Sequence, residues 1–266
     1  MSTAKNAART AKSSTTFRRI ARAGFVVLGV VHIVIGSIAI SVAGGTGGDA
    51  DQDGAMEQIR RTAVGGLLLI VIAVGLGALA VWQIAGAFLF ADPDEKRRWA
   101  LRVKAVGIAI AYLTISVMAL VYAVGGRADS EHAQQTLSAR ILAAPGGIAL
   151  LVAVGLAVVA VGAGFVVAGF TRGFEKTLDL PDGVAGTGIR SLGAVGFVAK
   201  GIAVAVTGVL FVVAALTQDP EKAAGLDAAL HSLLALPWGR ALLWVVAAGL
   251  IAYGVFCIAR ARFARM

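Results

Sequence analysis

Lys200 is the side chain with the most chemistry to account for, since it is the one formal charge inside a long apolar run, Leu192 to Leu216. An ammonium group in hydrocarbon marks an ion path, a substrate site or a paired structural group. Counted from Leu192, it stands roughly 12 Å into a helix that rises about 1.5 Å per residue, shallow enough for its four-carbon stem to snorkel toward the membrane surface. His32, Gln83 and Tyr112 are uncharged polar groups in equally apolar surroundings. Burying such a group without a partner costs on the order of a few kcal/mol, so each is expected to hydrogen-bond. Lys200, His32, Gln83 and Tyr112 therefore form the candidate intramembrane polar site. Interhelical bonding is the simpler reading, and the lining of a proton, ion or solute path is the other. Haem ligation by His32 is disfavoured, because no second intramembrane histidine offers the matching axial ligand.

A second pattern lies in a loop. Asp49-x-Asp51-x-Asp53-Gly54 reproduces the first, third, fifth and sixth positions of a calcium-binding EF-hand loop. The twelfth position is Arg60 in place of the bidentate glutamate, so Asp49, Asp51 and Asp53 are a metal candidate of low affinity at most, and a solvated acidic turn is the plainer reading. Gly183 to Gly188 has the glycines of a phosphate loop without the Gly-Lys-Ser/Thr ending or the preceding strand. Gly-x-Ser-x-Gly and His-Glu-x-x-His are absent. No catalytic residues and no cofactor are expected, and the chain does not read as an enzyme. Cys257 is the single cysteine, which rules out an intrachain disulfide and reads as a small apolar filler.

The elements that hold these residues follow from composition. With 58% hydrophobic and 15% charged residues over 266 positions, the chain carries more apolar surface than a soluble core can use. A bilayer core about 30 Å thick takes roughly 20 apolar residues as a helix. Six runs qualify: Gly24 to Ala43, Val64 to Phe90, Ala105 to Val124, Gly146 to Phe170, Leu192 to Leu216 and Ala241 to Ala259. The expected fold is all-α, an integral membrane bundle of six transmembrane helices. Lys and Arg number 17 on the side of the termini and even-numbered connections against six on the other, which predicts a multi-pass plasma-membrane protein with both termini cytoplasmic. The net charge of +9 comes without a basic patch interleaved with aromatics, so nucleic acid is not an expected partner. Membrane lipids are, with anionic headgroups on the cytoplasmic side. The first run also resembles a secretory signal ending in Ser41-Val42-Ala43, but its removal would truncate an internal repeat.

That repeat appears on sliding the chain by about 80 and then about 172–174 residues. Gly24-Phe25 aligns with Gly196-Phe197, Gly29 with Ala109 and Gly201, Gly36 with Ser116 and Gly208, and Gly75-Leu76 with Gly155-Leu156 and Gly249-Leu250. Tyr112 falls at the position of His32. Gly24, Gly29, Gly36, Gly75, Gly155, Gly196, Gly201, Gly208 and Gly249 are the candidate helix-packing residues, because small side chains let transmembrane backbones approach. The organisation read from this is a disordered basic tail over 1–22 and three helix pairs at 23–98, 99–180 and 190–266.

Three consecutive pairs, with first helices reading like Arg-x-Gly-Phe-x-x-x-Gly and second helices like Gly-Leu before an aromatic, resemble the bacterial membrane family called domain of unknown function 1206. Arg22, Gly24, Phe25 and Gly29 match in the first pair and Gly196, Phe197, Lys200 and Gly201 in the third, whereas the second departs at Lys104 and Ala109. The resemblance implies a six-helix integral membrane protein and brings no activity with it. The expected function is that of a scaffold or accessory component packing with other membrane proteins, lipids or further copies of itself. The alternative is a transporter or channel for a small solute or ion that uses the intramembrane polar residues.

Overall fold

The computed structural model describes residues 14–89, 94–223 and 225–265, and among them the regular elements are helices. In chain order they are α1 (Thr15–Gly44), α2 (Gln52–Arg60), α3 (Gly65–Leu89), α4 (Glu95–Ala123), α5 (Ser130–Leu142), α6 (Gly147–Phe170), α7 (Val184–Thr217), α8 (Leu226–Leu234) and α9 (Gly239–Phe263), with 3₁₀ turns at Gly173–Thr177 and Pro220–Lys222. Six of them, α1, α3, α4, α6, α7 and α9, are long and apolar enough to cross a membrane. The shortest, α6, has 24 residues and measures about 36 Å, more than the roughly 30 Å of hydrocarbon. Hydrocarbon offers backbone groups no partner, so these apolar runs satisfy them internally as helices.

The element ends depart from the sequence-based expectation in three places. Helix α1 begins at Thr15, so the tail expected to be disordered over 1–22 is helical in its last residues; residues 1–13 lie outside the described residues, as does Phe90 at the end of the second apolar run. Helix α4 begins at Glu95 rather than near Ala105, because Asp94 caps it by accepting from the Lys96 amide at 2.9 Å. Helix α7 begins at Val184 rather than Leu192, and the Arg190 it thereby takes in pairs with Glu175 at 3.4 Å.

Each pair has the form long helix, short helix, long helix, and the turn between the last two is repeated bond for bond. The amide of Thr62, Ala144 or Leu236 donates to the carbonyl of Ile59, Ile141 or Leu233, and the amide of Gly65, Gly147 or Gly239 donates to the carbonyl of Thr62, Ala144 or Leu236. A Cβ on any of these three glycines would strike the same Ile59, Ile141 or Leu233 carbonyl oxygen. The glycine that opens each second long helix is therefore required by the close approach of that carbonyl. Since every short helix joins two crossings, α2, α5 and α8 lie on one side of the membrane by parity.

The chain divides into two compact units, 1–29 with 59–127 and 257–266, and 30–58 with 128–256. In the first, α1 meets α3 at Gly24, where a Cβ would strike the Gly75 carbonyl, and α4 meets α3 where the Ser116 hydroxyl donates to the Ala73 carbonyl at 2.6 Å. In the second, a Cβ on Gly36 of α1 would stand 2.8 Å from the Ala247 carbonyl of α9, one on Gly208 of α7 2.8 Å from the Gly155 carbonyl of α6, and one on Gly201 2.6 Å from the Gly162 carbonyl. Gly36, Ser116 and Gly208 are the aligned positions of the three pairs, and each sits against the second long helix of another pair. Gly249 lies against Ala199, and Gly29 is buried. Backbone-to-backbone contacts of this kind supply packing energy where lipid supplies no hydrophobic drive.

Candidate functional site

Within the second unit, Lys200 projects from the middle of α7 into a group of aromatic side chains. Gly196, one turn earlier, brings α7 so close to α9 that a Cβ there would stand 2.6 Å from the Tyr253 backbone nitrogen. The consequence is that Lys200 Nζ donates to Tyr253 Oη at 3.3 Å and lies 4.4 Å from the Tyr253 ring centroid and 5.2 Å from that of Phe165 on α6. Both rings are within cation–π range. His32 of α1 packs on the same tyrosine with ring centroids 4.8 Å apart, and Phe197 meets it edge-on at 5.4 Å. Beneath these, Phe174 of the 3₁₀ turn stacks on Phe197 at 5.1 Å. Lys200, expected either to snorkel or pair structurally or to serve an ion or substrate site, directs its ammonium at groups on α6 and α9.

The sequence-derived polar set is thus divided. Lys200 and His32 share Tyr253 in the second unit, whereas Gln83 and Tyr112 belong to the first. Gln83 is half-buried on α3, and Tyr112, half-buried on α4, has Cys257 and Arg260 of α9 as neighbours.

On the short-helix side of the second unit, the acidic loop takes a form other than a calcium loop. Asp51 Oδ1 accepts from the Gly54 amide at 2.9 Å, capping α2, and Asp53 Oδ2 accepts from the Ser130 amide at the start of α5 at 2.8 Å. Asp227 Oδ1 on α8 accepts from the Ala50 amide at 2.7 Å, and Gln135 of α5 donates to the Glu221 carbonyl just before α8 at 3.3 Å. Pair three thereby holds pair one, pair one holds pair two, and pair two holds pair three, in a closed ring of three short elements. The carboxylates of Asp51 and Asp53 are directed to amides, and among the described residues no group of three or more His, Cys, Asp or Glu is arranged to hold a metal ion. Burial first, and then the charges of Asp53, Asp227 and Asp49, push the Asp51 carboxyl from 3.8 up to about 6 against the opposing Gly54 hydrogen bond. Burial likewise pushes Glu131 up, helped by Asp227, Asp129 and Asp49 and opposed by His231.

A family model described as Domain of Unknown Function (DUF1206) matches the chain three times, over residues 23–89, 103–172 and 195–264. The chain belongs to this family. It is also similar to the uncharacterized protein YxxB of Bacillus subtilis (strain 168), with 30% identity over 262 residues that cover 94% of this chain and 92% of the relative. No solved structure matches it. The threefold DUF1206 match corresponds to the three long–short–long helix sets.

Tyr253 is the residue of this DUF1206 chain that the sequence reading missed. Aligned through Gly249, Gly75 and Gly155, its counterparts are Leu79 and Val159, so the repeat pattern does not mark it. The signal available was the Lys200 ammonium, which required an acceptor somewhere in the spans. Tyr253→Phe keeps the ring and removes that acceptor, so it is expected to cost roughly 1–3 kcal/mol. Lys200→Met in the same background is expected to recover most of the loss, because no charge is then left in want of the hydroxyl. Thermal unfolding of the unaltered protein and the two variants in detergent measures this, and an equal loss in the double variant would contradict the pairing.

Proposed function

We propose that the protein is a scaffold or accessory component of the bacterial plasma membrane, with both termini cytoplasmic, whose work is to pack against other membrane proteins or lipids. The observation that carries this reading is the use made of the polar and small residues in the spans. Lys200 is engaged by Tyr253 and Phe165, and the glycines bring helix backbones into direct contact. A helix pair joined through backbone contacts is stiff, which suits a fixed surface better than a body that must rearrange to pass a solute.

The outward side of α6 is the natural place to test it, since Leu150, Leu156 and Val167 are exposed there. Photo-crosslinking residues at these positions in living membranes are expected to give a discrete higher-mass adduct with a membrane protein or a second copy. Monomer alone from all three positions would remove the scaffold reading.

One observation favours transport instead, the adjacency of Lys200, Tyr253 and His32. Proteoliposomes decide between the two. The scaffold reading expects proton, potassium and chloride flux equal to that of empty vesicles, whereas flux that disappears in Lys200→Leu would establish the transport reading. Periplasmic and cytoplasmic reporters fused at both ends check the orientation taken from the charge bias.

A further inference from the structure

At the end of the first unit where α1 and α4 begin and α9 finishes, the cations are not balanced by acids among the described residues. Three lie in the first turns of α1, five in the start of α4 and three at or just past the end of α9, against Asp94 and Glu95 among the described residues. The equivalent connection in the second unit, between α6 and α7, is neutral by comparison, with Arg172, Lys176 and Arg190 against Glu175, Asp179 and Asp182, and Arg190 paired with Glu175. Both connections carry Lys and Arg, but the excess over acids is found at the first.

Two of these cations carry a buried donor without an acceptor. The Nε atoms of Arg102 and Arg260 are enclosed and meet no hydrogen-bond partner. A buried N–H of this kind needs an acceptor, and the described residues supply none. The Arg260 guanidinium lies 4.5 Å from the Phe25 ring centroid and that of Arg102 6.0 Å from the Trp99 ring. Stacking engages the face of a guanidinium and leaves its in-plane N–H groups for a planar or tetrahedral oxyanion. Trp99 is itself exposed, as a ring at headgroup depth is.

We propose that this end of the first unit is a docking surface for anionic phospholipid headgroups, in which Arg102 and Arg260 donate to the phosphodiester oxygens. Lipid is the one source of such an anion already in contact with the spans, and the surrounding cations hold it by charge. The surface is independent of the scaffold reading, since a transporter could carry it equally.

Native mass spectrometry of the detergent-solubilised full chain, supplied with phosphatidylglycerol or phosphatidylcholine, tests it. Phosphatidylglycerol is expected to be retained roughly tenfold over phosphatidylcholine, and Arg102→Gln with Arg260→Gln to remove most of that preference. Arg172→Gln with Lys176→Gln, at the neutral connection, is expected to leave it unchanged, and inorganic phosphate is expected not to displace the lipid. Equal retention of the two lipids by the unaltered protein overturns the proposal, as does a preference that survives the Arg102/Arg260 substitutions. Should that double variant not be recovered folded, Arg102→Lys and Arg260→Lys singly keep the charge but lose the in-plane donor pair, and must still lower the preference.

Discussion

Gly208→Leu is expected to lower the melting temperature more than any other single substitution considered, or to prevent recovery of folded protein. Even the first carbon of a side chain there would stand 2.8 Å from the Gly155 carbonyl oxygen and 2.6 Å from the Val159 amide nitrogen. Both are backbone atoms of α6, which cannot rotate away, so the two helices must part along their whole seam. The Gly201–Gly162 contact two turns away would open with it. Overpacking a tight site costs about 1–3 kcal/mol, and a backbone-facing position belongs at or above the upper end. Gly164→Leu is the control, since α6 offers open space at that position and a leucine there gains helix propensity. Thermal unfolding in detergent should separate the two variants clearly; equal melting temperatures would mean that α6 and α7 do not meet through these glycines.

The six crossings were legible because a run of some twenty apolar residues has one stable form in hydrocarbon. Most of the packing glycines were legible for a related reason, since they recur at aligned positions, Gly75, Gly155 and Gly249 in all three pairs and Gly24, Gly29 and Gly36 with Gly196, Gly201 and Gly208 in the first and third. Gly162 and Gly169 were not, although a Cβ on either would stand within 3 Å of α7 backbone, because neither belongs to the recurring pattern. The short helices α2, α5 and α8 were missed as elements. They are 9, 13 and 9 residues long, lengths at which an isolated helix is marginal at best, and they are held by hydrogen bonds from other pairs that no local pattern announces. Asp49, Asp51 and Asp53 show the same limit from the other direction: their spacing matched a calcium loop, but Asp53 is directed at Ser130, 77 residues away. In the polar site, the need of Lys200 for a partner was readable, whereas the identity of Tyr253 depended on how closely Gly196 draws α7 onto α9.

The ring of short helices should be more stable in mild acid than at neutral pH. Asp51 is buried, with 8% of its surface exposed, and is faced by Asp49, Asp53 and Asp227, while Glu131 stands near Asp227, Asp129 and Asp49, and His231 pairs with Asp227 at 3.2 Å. Because the folded-state value of Asp51 is raised, from 3.8 to about 6, the folded chain binds this proton more tightly than the unfolded chain. The resulting stability is fully present below about pH 4 and is lost as the pH rises through about 6. The rise from 3.8 to about 6 corresponds to roughly 3 kcal/mol. Glu131, raised in the same direction, adds to the trend. Asp51→Asn keeps an oxygen for the Gly54 amide and removes the charge, so it is expected to raise the melting temperature at pH 8 while changing it little at pH 4, flattening the profile. Asp53→Asn lacks that advantage at the Ser130 contact, where a full negative charge strengthens the bond, and is not expected to be stabilising. Unfolding followed by tryptophan fluorescence from pH 4 to pH 8 reads both, and a melting temperature that falls at pH 8 in Asp51→Asn would show that the carboxylate binds the ring together rather than straining it.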